Sequence, residues 1–205
     1  FFDLVLDPVG TLLTVGFTYD SGSFNREIPL SLDLASLGLG NIGGLTGVDQ
    51  VFDVSSSGAL SITAGADVSA QFGLDLSDPL NPVAFIGQGT GIGVDLLVST
   101  PGGIDFDLAL GPLGLFVRGG SARISSVAND NAPATITLGF NSSESRYDLG
   151  RLVSGQYFLT GPDSILDFAI DAEAAASLPL FFPTETDAIG DLAFSVPDLG
   201  VVLDK

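Results

Sequence analysis

Over residues 62–76 every second position is apolar: Ile62, Ala64, Ala66, Val68, Ala70, Phe72, Leu74 and Leu76. Between them stand Thr63, Gly65, Asp67, Ser69, Gln71, Gly73 and Asp75. Side chains of a strand point alternately to its two faces, so the run predicts one strand with an apolar and a polar side. At about 15 residues it is far longer than the usual strand of about 5–6. Gly65 and Gly73 are expected to mark bends or bulges in it.

The same alternation returns at Ile92, Val94, Leu96 and Val98, and again at Ile104, Phe106, Leu108 and Leu110. Pro101-Gly102-Gly103 between them reads as a hairpin turn. Gly111-Pro112 punctuates, and Leu113–Val117 reads as a short strand buried on both faces. A turn is expected at Arg118-Gly119-Gly120, then strands at 121–127 and 135–140 around the turn Asn129–Pro133. Upstream, Leu4–Leu6, Leu12–Tyr19 and Ile28–Leu34 read as strands, and Leu37–Gly47 as a loop or a short helix. Segment 163–178 fits a helix capped by Asp163 or Ser164, but it also alternates, and a long strand is the preferred reading. Phe181-Phe182-Pro183 is a breaker, 192–196 alternates once more, and Val201–Leu203 is expected to close the sheet.

About a dozen strands with Gly and Pro turns predict an all-β chain. The expected architecture is an elongated antiparallel β-sandwich, or a β-roll, built of long strands. One domain spans 1–205, with a subdivision near 141–150. A transmembrane β-barrel would alternate too, but Trp is absent and only three Tyr are available for its aromatic girdles. The stretches Ala59–Leu76, Gly91–Leu110 and Ser121–Phe140 share a style without a fixed period, so a solenoid is not supported.

Composition narrows the chemistry. The 205 residues are 45% hydrophobic, with no Cys, His, Met or Trp, and the one lysine is Lys205. Imidazole bases, thiolate nucleophiles and soft metal ligands are therefore excluded, as is a disulfide framework. Twenty-five acids against six bases give a formal charge of −19, a field that repels nucleic acid and anionic lipid and attracts cations. All but four acids are Asp, which suits turns better than helices. No apolar run reaches the roughly 18 residues of a membrane-spanning helix. Without an initiator Met or a leader pattern, the chain is expected to be a processed product or part of a longer one.

Two segments carry a resemblance. Phe72-Gly73-Leu74-Asp75-Leu76-Ser77-Asp78-Pro79 and Leu110-Gly111-Pro112-Leu113-Gly114-Leu115-Phe116-Val117-Arg118-Gly119-Gly120-Ser121-Ala122 resemble recurring segments of giant acidic bacterial extracellular proteins, the adhesin-like surface giants. The likeness covers roughly residues 60–140 and rests on low-complexity sequence. It implies an extracellular or cell-surface location and a structural or adhesive role, and it carries no catalytic residues.

Candidate sites follow from oxygen donors. Asn129-Asp130-Asn131-Ala132-Pro133 resembles the calcium-binding linker of cadherins, and a tight Asx-rich turn gathers the hard oxygens that Ca²⁺ requires. Its plain alternative is an ordinary turn, and the distant acids of the cadherin pattern are not evident. Asp75 and Asp78 make a second oxygen-rich loop with Asn81. Asp105 and Asp107 share one face of a strand, their repulsion relieved by a cation or by Arg118 or Arg123. A solvated face is the preferred reading there.

Asp20-Ser21-Gly22 has the form of an aspartic-protease turn, but it has no second copy and is read as a turn. No enzyme activity is expected. Asn141-Ser142-Ser143 is the one N-glycosylation sequon.

Phe1, Phe2, Leu4 and Leu6 form an apolar terminal strand that pairs within its own sheet or completes a neighbour's. The leading expectation is an extracellular structural subunit or module of a surface fibre, filament or adhesin-like assembly, self-associating through strand pairing with Ca²⁺ as stiffener. The alternative is a glycan- or protein-binding β-sandwich module of a larger surface protein.

Overall fold

A computed structural model describes residues 1–7, 9–30, 52–110, 113–141, 143–159 and 164–203. The segment 37–47 and the Gly111-Pro112 punctuation lie outside the described residues. The strands are β1 (Phe2–Leu6), β2 (Leu12–Asp20), β3 (Phe24–Pro29), β4 (Phe52–Asp75), β5 (Val83–Gly87), β6 (Gly91–Ser99) and β7 (Ile104–Leu110). They continue as β8 (Leu113–Ser125), β9 (Ala134–Phe140), β10 (Arg146–Asp148), β11 (Leu166–Asp171), β12 (Glu173–Phe181) and β13 (Ala188–Val196). Two short helices are α1 (Leu149–Val153) and α2 (Leu199–Leu203).

The all-β expectation holds. All thirteen strands join one hydrogen-bonded sheet whose main path runs β1-β2-β4-β7-β8-β6-β9-β11. The long alternating run is a 24-residue strand, β4. Chain segments interleave into two compact units. Phe1–Ser23, Gly65–Asp95 and Thr135–Ile170 form the first, and Phe24–Ala64, Leu96–Ala134 and Asp171–Lys205 the second.

In the first unit the register makes a grid. Leu6 lies opposite Leu13, Leu13 opposite Leu74, and Leu74 opposite Ala84. The next rows are Leu4-Val15-Phe72-Ile86 and Phe2-Phe17-Ala70. Directly opposed residues share a face, so the apolar positions of neighbouring strands coincide on one side. The other side carries Asp3-Gly16-Gln71, Val5-Thr14-Gly73-Phe85 and Asp20-Asp67. The expected irregularity at Gly73 is absent, because the β2–β4 register runs through it without a shift.

Beyond β5 the strand β10 places Tyr147 opposite Ile86. Tyr147 is fully buried with Tyr157 and Ile165, and Phe140 and Leu152 pack against them. The Phe140 and Tyr147 rings stack at 4.9 Å, and Tyr157 meets Tyr147 edge-on at 5.5 Å. Asp148 caps α1 by accepting from Gly150 N at 2.6 Å and Arg151 N at 3.1 Å, which turns the chain back over the tyrosines.

In the second unit β4 pairs β7 from Phe52↔Leu110 to Gly58↔Ile104, and β3 from Pro29↔Ala59 to Phe24↔Ala64. The strand β8 has β7 on one side and β12 on the other, and β12 carries β13. Five expectations are corrected here. Thr100–Gly103 does turn, with Gly103 N donating to Thr100 O at 3.1 Å, but β6 and β7 are not neighbours in the described pairing; both pair with β8. The turn interrupts a line of strand, and the Thr100 hydroxyl accepts from Ala122 N at 3.1 Å across the gap.

Arg118-Gly119-Gly120 is not a turn but part of the continuous strand β8. The β7–β8 register shifts beside it, and Gly119 supplies the positive φ of 62°. Leu113–Val117 is not buried throughout, since Leu113 is half exposed while Val117 is buried. Residues 201–203 belong to α2, where Asp198 accepts from Val201 N at 3.2 Å, an N-cap bond that a strand would not make. Segment 163–178 is strand rather than helix, as preferred, but not one long strand: it divides at Ala172 into β11 and β12, and Asp163 lies outside the described residues. The strand β12 ends at the Phe181-Phe182-Pro183 breaker.

Candidate functional site

The apolar terminal strand becomes β1, at one end of the sheet's path with β2 as its partner. The Phe1 ammonium donates to Thr18 O at 2.8 Å, and Thr18 N returns a bond to Phe1 O at 3.0 Å, so the strand is held from its first residue. Phe2 and Phe17 rings sit 5.1 Å apart. The return loop is built on Asp7, whose carboxylate accepts from Thr11 N at 2.6 Å and Leu12 N at 2.8 Å. These donors, Leu12 N–H first, hold the Asp7 carboxyl below the ordinary carboxylate range. All five β1 residues are exposed. The strand carries a single charge, Asp3, and no lysine, proline or bulge, the other devices that blunt a sheet edge.

The oxygen-rich loops do not converge on one another. Asp75 accepts from the Ser77 hydroxyl at 2.5 Å and Ser77 N at 2.9 Å and pairs with Arg146 at 2.8 Å. Asp78 accepts from Asn81 Nδ2 at 2.8 Å and Leu80 N at 3.1 Å. Both carboxyls are held below their usual range, mainly by these side-chain donors, Ser77 and Asn81 respectively. On β7, Asp105 accepts from Gly119 N at 2.8 Å, while Asp107 pairs with Arg118, the cation named from the sequence.

Asn129 accepts from Asn131 N at 3.0 Å in an Asx turn, and Asp130 pairs with Arg123 at 3.2 Å. Each carboxylate thus already meets a donor of the protein, and no group of three carboxylates gathers among the described residues.

The loop after β8 also recruits acids that the sequence reading missed. Asp171 accepts from Ser126 Oγ at 2.7 Å and Val127 N at 2.9 Å. Glu173 accepts from Arg123 Nη2 at 2.8 Å. Their signal lies 40–50 residues downstream of their partners and leaves no local motif.

The remaining candidates resolve plainly. Asp20-Ser21-Gly22 is a turn, with Gly22 N donating to Asp20 at 2.7 Å and φ of 67° at Gly22. Asn141 is partly buried and donates Nδ2 to Ser164 O at 2.6 Å, which occupies the atom a glycan would modify; Ser142 lies outside the described residues. Of the tyrosines considered for ligand stacking, Tyr147 and Tyr157 are core, and Tyr19 is exposed. A shallow polar hollow of about 270 Å³ in the first unit is lined among others by Asp67, Ser69, Gln88, Thr137 and Asp167. No helix among the described residues is long and apolar enough to cross a membrane. Comparison with family profiles, curated protein sequences and solved structures returns no match for this chain.

Proposed function

We propose that the chain is an extracellular structural module, a unit of a surface fibre, filament or adhesin-like assembly, that extends by pairing the outer edge of β1, which has no partner strand among the described residues, with a strand of a neighbour. The observation that carries this reading is β1 itself: an apolar, exposed strand at the end of the sheet's path, firmly held on one side by β2. An edge of that kind is a template for another strand. The acidic surface keeps free subunits soluble and makes assembly depend on salt.

Electron microscopy and sedimentation of the full chain, beside a chain trimmed of residues 1–6, test the reading. Filaments or large species from the full chain, lost on trimming, are expected. A full chain that stays small and uniform at every salt and protein concentration would sink it. The weight would then pass to a glycan- or protein-binding module, for which the polar hollow of the first unit is the supporting feature.

A further inference from the structure

The grid in the first unit leaves its apolar face open over β1, β2, β4 and β6. Phe2 is 74% exposed, Leu4 68%, Tyr19 56%, Ile92 49% and Phe72 47%. Leu6, Val15 and Leu74 are exposed on the same side by register, and Ile92 and Val94 join them because Gly93 between them faces Asp67 on the polar side. Together these side chains leave on the order of 800 Å² open, the area each partner contributes to a standard protein interface. Soluble monomers rarely leave more than about 300–600 Å² of contiguous apolar surface uncovered.

We infer that this face is the seat of a second copy of the chain, packed sheet against sheet. Charge placement favours that occupant. Asp3, Asp20, Asp67 and Asp75 all fall on the opposite side by register, and Asp95 lies beside Gly65 on that side. No grid residue of the apolar face is charged. Two copies of a −19 chain can therefore meet through this face with their carboxylates pointing outward into water.

Stacked sheets sit about 10 Å apart with interdigitating side chains. A hollow of about 280 Å³ on the same face, lined by Val68, Ala70, Ile92, Leu138, Phe140 and Leu166, accepts a projecting ring of the facing copy. A bilayer is the poorer occupant, because the chain has no Trp for the interface and its charge opposes anionic lipid. The alternation that predicts a sandwich is then satisfied between chains. This contact is separate from strand addition, which uses the backbone edge of β1.

The test is sedimentation velocity of the full chain with Phe72→Glu and Tyr19→Glu, and with Thr18→Glu on the polar side as control. Expected are a reversible dimer for the unmodified chain and for the control, and at least a tenfold weaker association for the two face variants, with unchanged circular dichroism. Filaments that survive Phe72→Glu would separate this contact from the β1 edge.

Because the chain has no native Cys, Phe72→Cys and Thr18→Cys each give a unique thiol. The first should lose maleimide reactivity as protein concentration rises, and the second should keep it. A chain that is monomeric at all concentrations with Phe72→Cys always reactive would overturn the inference. So would capture on neutral phosphatidylcholine vesicles without a dimer in solution.

Discussion

The ring of Phe85 occupies the space that a side chain on Gly73 would need, directly opposite it across the β4–β5 ladder. Arg146 covers the ring, its guanidinium carbon 5.4 Å from the centroid, and is itself fixed by Asp75 at 2.8 Å. Gly73→Ala should therefore destabilise the protein by about 1–3 kcal/mol, the usual cost of overpacking. Phe85→Leu in the same chain should recover only part of it, because Leu13 O also lies 2.7 Å from the added carbon and cannot move away. Gly190→Ala on β13, where nothing lies within 4 Å, is the control and should be neutral or slightly stabilising. Urea denaturation midpoints check all three.

Tyr147 is the only large side chain with a hydroxyl that is wholly enclosed among the described residues, and it donates to Asn141 O at 2.8 Å. Tyr147→Phe keeps the ring stack and deletes the bond, leaving a carbonyl short of a donor at a cost of about 1–3 kcal/mol. Tyr147→Ala also empties the centre of the core and should cost about 3–5 kcal/mol. Thermal unfolding followed by near-ultraviolet circular dichroism reports both, since the tyrosine cluster gives that signal.

Acid should loosen the 126–131 loop. The hydroxyl of Ser126 and the Val127 N–H lower the Asp171 carboxyl, and Arg123 lowers that of Glu173. A carboxyl whose folded value lies below its unfolded value stabilises the fold above the unfolded value, near pH 4, and that contribution is lost as pH falls through the folded value. Asp171→Asn should therefore be less stable than the unmodified chain at neutral pH, with the difference vanishing below the ordinary carboxylate range. Unchanged separation of the two stability curves down to strong acid would contradict the assignment.

Calcium should leave the stability of the isolated chain unchanged. Asp75, Asp78, Asp105, Asp107 and Asp130 are each engaged by N–H, amide or guanidinium donors, which a cation would have to displace. The melting temperature in Ca²⁺ and in EDTA should agree. A rise of several degrees in Ca²⁺ would restore the cation as a structural ligand at these loops.

What the sequence made legible is the two-faced strand. Ile62 to Leu76 alternates because each residue of β4 answers to one side of the sheet, and the same logic located β6, β7 and β13 and marked 163–178 as strand. Turn residues were less informative. Pro101-Gly102-Gly103 bends the chain whether the next strand folds back or continues along the same neighbour, and local chemistry does not distinguish the two. Gly119 likewise supplies a positive φ that suits a turn or a bulge. Val201–Leu203 is too short for its period to decide between strand and helix, and the Asp198 cap decides it. The edge strand was visible because Phe1, Phe2, Leu4 and Leu6 stand together in the chain. Asp171 and Glu173 were not, because their partners Ser126 and Arg123 are near only after folding.

Each unit is assembled from three separated stretches of chain, and the first is incomplete until residues 135–170 are present. During synthesis, then, β1, β2 and β4 emerge long before β9, β10 and β11, which belong to the same unit. Until those strands emerge, β5 and β6 stand exposed without their neighbours β10 and β9, a state prone to pairing with the wrong strand. Production of this protein should accordingly depend on holdase chaperones and on spacing between ribosomes far more than the stability of its finished fold would suggest.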